Sequence, residues 1–192
     1  PHPAEVTRHD DHLGWHDQGD GKWFLGLPVE NGRVKDEGVF KLKSALRAIF
    51  NGICDTARLT AQQNILLCDL ESADRSRVER ILTDHGVATV ERISNVRRFA
   101  FACPALPTCG LAVTESERMM PKLLGELETE LTRVGLAASR FSTHITGCPN
   151  GCARPYNCDL GIVGRSVDGK SGEGKYTLFV GIIALSFYSM HD

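Results

Sequence analysis

THITGCPNGCARPYNC, residues 143–158, holds three of the seven cysteines in a stretch rich in Gly, Pro and Asn. Pro149 has no backbone N–H, and Gly147 and Gly151 pack no side chain, so the segment suits neither a helix nor a strand. It suits a backbone that curls closely around something. Working outward, FSTHIT (141–146) alternates like a strand leading into the loop. LGIVGRS (160–166) and KYTLFVGIIAL (175–185) read as two further strands, joined by the Gly-rich turn DGKSGEG.

Upstream lies a second cysteine loop, RRFAFACPALPTCG (97–110), expected to be irregular throughout. A long helix should follow. Thr114 and Glu117 have the T-x-x-E spacing of a capping box. Met120, Leu123, Leu124, Leu127, Leu131 and Val134 repeat as one apolar face, and Gly135 ends it. Pro121 inside that pattern should kink the helix or split off its first turn. Further back, KWFLGLPVENGRVKD (22–36) reads as a strand, a turn at Asn31–Gly32 and a second strand. VFKLKSALRAIF (39–50) has helical spacing at Leu42, Ala45, Leu46 and Ile49. ARLTAQQNILLCDL (57–70) fits a strand. Ser72 is placed to cap a helix running to about His85, with Val78, Ile81 and Leu82 inward and Gly86 closing it. The order over residues 15–90 is β-β-α-β-α, a compact α+β unit.

The 192 residues allow one large domain or two small ones. Hydrophobic residues at 42% and charged residues at 24% are ordinary for a globular chain. A net charge of −2 supplies no basic field for nucleic acid, and no apolar run approaches a membrane span. The polar, His-rich N-terminus lacks the basic and apolar regions of a signal peptide. An odd cysteine count argues against a complete disulfide framework. A reducing compartment is expected: the cytoplasm, or the plastid stroma in a eukaryote.

Cys103 and Cys109 form one pair, C-x5-C, and Cys148 and Cys152 another, C-x3-C. Four thiolates from two loops can surround a structural zinc ion or an iron–sulfur cluster. The five-residue gap is wide for a zinc knuckle, whereas a four-iron cluster takes ligands at separate corners. The spacing favours iron–sulfur and leaves zinc and unligated cysteines open. Cys54 and Cys68 lie in apolar surroundings and read as small buried hydrophobes. Cys158 reads as a spare thiol.

ACPALPTCGLAVTESERMMP (102–121), followed by ITGCPNGCARPY (145–156), resembles the cluster-binding motifs of the sulfite and nitrite reductases that carry sirohaem coupled to a four-iron cluster. DHLGWHDQGDGKWFLGLPVENGRVKD (11–36) and RLTAQQNILLCD (58–69) resemble the second of that family's ferredoxin-like half-domains. The wording is most similar to the ferredoxin-dependent sulfite reductases, with nitrite reductase as the alternative. The resemblance implies an α+β chain in two domains. Residues 1–92 would be the ferredoxin-like half-domain, and residues 93–192 an α/β domain binding a 4Fe–4S cluster and sirohaem, truncated at its C-terminus. It implies that Cys103, Cys109, Cys148 and Cys152 ligate the cluster and that Cys152 is also the axial thiolate of the sirohaem iron. It further implies an oxidoreductase taking sulfite to sulfide in six electrons, with ferredoxin as donor. Family members are longer, and their N-terminal half supplies the substrate-binding cations. The isolated chain is therefore expected to be inactive, and a non-catalytic cluster-binding or zinc-binding remnant is a further alternative. The ending IIALSFYSMHD (182–192) departs from the family pattern.

Other residues carry lesser expectations. Asn150 is a candidate donor to the cluster or haem, or a turn residue. Arg154 is a candidate partner for a haem carboxylate, or a surface arginine. Arg58, Thr60, Gln62, Gln63 and Asn64 resemble a family motif near the haem, but a strand-end role that holds the fold is favoured. His144 reads as structural, and none of the seven histidines has metal-ligand spacing with another.

Overall fold

The structure, a computed structural model, describes residues 11–181 and the backbone of Tyr188–Ser189. The readings of the N-terminal ten residues, of the end of the strand 175–185 and of the divergent ending fall largely outside the described residues. The chain divides into two compact units between Arg92 and Ile93.

The first unit begins with a hairpin. β1 (Gly14–Asp17) pairs with β2 (Trp23–Leu27), and Asp17 and Asp20 accept the amides of Gly19 and Lys22 in the turn. The expected hairpin at 22–36 does not form. Asn31 and Gly32 turn the chain with φ of 52° and 71°, but β3 (Asp36–Glu37) pairs with β4 (Phe40–Lys41) instead. The reason is that β2 has both edges taken, by β1 and by β6 (Ile65–Leu70). The stretch 57–70 is likewise two strands. β5 (Thr56–Leu59) and β6 form a hairpin around Thr60, whose hydroxyl accepts the amides of Gln62 and Asn64. Gln63 turns with φ 63°, and Asn64 Oδ1 accepts the Val29 amide at 3.0 Å. Thr60 and Asn64 thus hold the fold together.

The antiparallel order is β1-β2-β6-β5. α1 (Leu42–Phe50) contributes Leu42, Ala45, Leu46 and Ile49 to the core, and α2 (Arg75–Asp84) contributes Val78 and Leu82. They meet Leu25, Leu27, Leu67 and Leu70 of the sheet. Each such buried Leu, Ile or Val is worth about 1.5–3 kcal/mol. The expected Ser72 cap is absent: Ser72–Asp74 form a 3-10 turn before α2, and its N-cap makes no side-chain bond. Arg75 packs over both Trp15 (4.9 Å) and Trp23 (4.4 Å), and Trp15 Nε1 donates to Glu79. That stack ties α2 to the first hairpin.

The second unit is a mixed sheet ordered β11-β10-β9-β8-β7. β7 (Ala100–Ala102), β8 (Thr143–Thr146) and β9 (Leu160–Val167) run parallel. β10 (Gly174–Val180) and β11 (Tyr188–Ser189) complete it antiparallel. β7 and the last two residues of a short helix, α3 (Asn95–Arg98), fall in the stretch expected to be irregular. β7 is only three residues long, too short for alternation to announce it.

α4 (Met120–Arg133) is the crossover from β7 to β8. Met120 and Leu124 are buried against Val96, Ala102, Ile145 and Ile162, with Leu123, Leu127 and Leu131 half-buried beside them. Val134 is exposed beyond the helix end. α3 is pinned to α4 by a two-pronged Arg97–Glu128 ion pair, with Ser94 on the same carboxylate. The expected capping box is not formed. The N-cap is Met119, Pro121 stands in the first turn where its missing N–H costs nothing, and Thr114 lies upstream, buried. Among the described residues no helix is long and apolar enough to cross a membrane.

Candidate metal centre

β7 and β8 are adjacent and parallel, with Ala102 opposite Ile145, so both finish at the same edge of the sheet. Cys103 follows the last residue of β7 directly. Gly147 and Cys148 follow the last residue of β8. Open α/β sheets place their ligands beyond the carboxyl ends of parallel strands, and here that edge carries both cysteine loops.

Hydrogen bonds lock the two loops together. The Cys103 amide donates to Ile145 O at 3.2 Å. The amides of Val113 and Thr114 both donate to Gly147 O, at 2.9 and 3.0 Å. The Thr114 hydroxyl reaches the same carbonyl at 3.2 Å, and the Ser116 hydroxyl donates to Ile145 O at 2.9 Å. Thr114 therefore staples the first loop to the second instead of capping a helix. Pro121 was the sequence signal for this: a proline in the first turn puts the helix start near 120, too far on for Thr114 to cap. Gly147 is required by close approach, since a Cβ there would sit 2.6 Å from both Ala105 Cβ and Thr114 O. Cys103, Ala105 and Ala153 form a small buried cluster across the two loops.

The sulfurs divide into two kinds. Cys103 Sγ accepts the Gly147 amide at 3.3 Å and lies 3.5 Å from the Thr146 hydroxyl. Cys54, Cys68 and Cys158 instead donate their S–H to backbone carbonyls. Burial raises all three of these thiols, Cys158 to about 11. Cys148 is buried, Cys109 half-buried and Cys152 exposed.

Cys152 sits in a tightly folded loop. Gly151 has φ 68° and Arg154 φ 55°, the Arg154 amide donates to Gly151 O, and Tyr156 OH donates to Pro149 O. Asn150 is exposed at the loop tip. Arg154 is exposed and its guanidinium lies 4.8 Å over the Phe101 ring. His144 meets Phe101 edge-on and bonds to Arg154 O, and burial lowers its pKa.

Among the described residues no three Cys, His, Asp or Glu side chains gather tightly enough to hold one metal ion. The donor set is four thiols on two interlocked loops at one sheet edge, with amide and hydroxyl donors on one sulfur. A four-iron cluster is held by thiolates at separate corners and accepts hydrogen bonds at its sulfurs. The residues present fit that group.

Residues 16–85 match the family model described as the nitrite/sulfite reductase ferredoxin-like half domain. The chain is 49% identical over 174 residues to a sulfite reductase [ferredoxin] of Synechococcus elongatus, covering 91% of this chain and 27% of that protein. It is 39% identical over 179 residues to a sulfite reductase [NADPH] hemoprotein beta-component of Staphylococcus saprophyticus, covering 93% of this chain and 30% of the relative. The chain thus spans less than a third of these curated relatives. Among solved structures, the Mycobacterium tuberculosis NirA protein superposes with a TM-score of 0.74 at 25% identity, over 100% of this chain and 35% of that one. With the half-domain matched by the family model and the cysteine loops matched by relatives named as sulfite reductases, the chain matches the nitrite/sulfite reductase family.

Proposed function

We propose that this chain is the cluster- and sirohaem-binding part of a sulfite reductase. Cys103, Cys109, Cys148 and Cys152 would hold a 4Fe–4S cluster, and Cys152 would also supply its thiolate to the sirohaem. When bound, these groups would supply one-electron transfer, with ferredoxin as the donor and sulfite as the substrate. The observation that carries this reading is that the two cysteine loops leave one sheet edge hydrogen-bonded to each other, with Cys103 Sγ accepting the Gly147 amide. The exposure of Cys152 suits a thiolate shared with a second group. Asn150 would donate to the cluster or haem and Arg154 would meet a haem carboxylate; both are exposed in the loop that carries Cys152. Residues 93–192 would be the cofactor domain and residues 1–92 the ferredoxin-like half-domain. The cations that bind sulfite belong to the rest of a full-length sulfite reductase, so the 192-residue chain alone holds cofactor without turnover. A reducing compartment, cytoplasm or plastid stroma, keeps the thiols available.

The test is iron and acid-labile sulfide content, with a visible spectrum, on chain reconstituted anaerobically with and without sirohaem. Four irons per chain are expected, together with a haem band that Cys152→Ser abolishes. Zinc in place of iron, or a haem band indifferent to Cys152→Ser, overturns the reading. Sulfide production from sulfite by the chain with cofactors and reductant would overturn the expected inactivity.

A further inference from the structure

Thr146 is wholly buried, and its hydroxyl faces two acceptors: Cys103 Sγ at 3.5 Å and the Cys148 carbonyl at 3.4 Å. A hydroxyl has one proton to donate. It goes to whichever acceptor carries more negative charge. The Gly147 amide already points at the same sulfur from 3.3 Å. Gly147 is held in place, because its carbonyl accepts the amides of Val113 and Thr114 and there is no room for a side chain beside Ala105. Cys103 is thus met by two donors from one strand end, on a backbone fixed before any metal arrives. Among Cys103, Cys109, Cys148 and Cys152 no other sulfur has a side-chain donor among the described bonds.

We infer that Thr146 is a positioning residue that sets the reduction potential of the cluster through Cys103. This rests on the reading above that Cys103 is a cluster ligand. Reduction adds one electron from an external one-electron donor, and no bond is made or broken. Part of the added charge falls on the ligand sulfurs. A hydroxyl already aimed at Cys103 stabilises that charge more than it stabilises the oxidised form, which raises the potential. Having a choice of acceptors, Thr146 can strengthen its bond to sulfur on reduction and relax toward the Cys148 carbonyl on oxidation.

Thr143 provides a matched control. It lies on the same strand, is equally buried, and its hydroxyl has no hydrogen-bond partner. The experiment is a dithionite titration of the reconstituted chain, followed by electron paramagnetic resonance, for the parent, Thr146→Val, Thr146→Ser and Thr143→Val. Thr146→Val should lower the midpoint potential, making the reduction equilibrium constant about threefold to tenfold less favourable, where tenfold is 59 mV for one electron. Thr146→Ser, which keeps the hydroxyl, should stay near the parent, and so should Thr143→Val. A loaded cluster whose potential is the same in Thr146→Val as in the parent, or is lowered equally by Thr143→Val, overturns this inference alone. Failure of the parent chain to take up iron and sulfide overturns the reading on which it rests, and this inference with it.

Discussion

Cys103 and Cys158 are both buried, yet their sulfurs face opposite partners. Cys158 donates to Pro155 O at 3.2 Å, a bond only the neutral thiol can make, and burial pushes its pKa up to about 11. At pH 8 about one part in a thousand of such a thiol is ionised. Cys103 accepts, which is the arrangement of a sulfur prepared to carry charge. The cofactor-free native chain should therefore label with iodoacetamide in a definite order, because the thiolate is the nucleophile and exposure admits the reagent. Cys152, the exposed one, should react first, and Cys54, Cys68 and Cys158 only after unfolding. Peptide mass spectrometry at pH 8 reads the order. Labelling of native Cys158 at the rate of Cys152 would contradict its assignment as an inert core thiol.

The elements that the sequence announced are those with long apolar periods. Leu42, Ala45, Leu46 and Ile49 declared α1, and the Met120–Leu131 stripe declared α4, because burial repeats every turn. What stayed hidden was set by pairing partners far along the chain. β5 and β6 read as one strand because TAQQN is as polar as an exposed strand, and only Gln63 at φ 63° reverses it. Thr114 read as a cap because its spacing to Glu117 is local, while its true partner, Gly147, is reached only once β7 and β8 lie side by side. The four thiols proposed as ligands were read from spacing and resemblance, whereas the Thr146 and Gly147 donors on Cys103 needed the fold. The tight packing of these elements predicts a contrast between two glycines. A Cβ at Gly164 on β9 would lie 2.0 Å from Thr114 Oγ1 and 2.7 Å from Gly147 O, whereas one at Gly169 meets nothing. Gly164→Ala should destabilise the second unit by about 1–3 kcal/mol, the usual cost of overpacking. Gly169→Ala should change the urea midpoint little. Equal midpoints for the two variants would show that the staple at Thr114 yields easily.

Each unit has its own core, one built on β1, β2, β6, α1 and α2, the other on β7, β8, β9 and α4. Both cysteine loops belong to the second. A group that binds only the folded form stabilises it by about 2.7 kcal/mol at a hundredfold excess over its dissociation constant. That stabilisation falls on the opening of the unit that holds the group, not on the chain as a whole. Amide exchange on the chain, with and without reconstituted iron and sulfide, should therefore slow most across residues 103–114 and 146–158. It should slow next through β7, β8, β9 and α4, by about hundredfold where exchange requires opening of the whole unit. The first core should exchange at the same rate in both states, since Leu67, Leu70 and Val78 belong to a cluster of side chains confined to residues 25–87. Equal slowing in both units would mean that they open as one cooperative body, and that the cluster governs the stability of the half-domain as well.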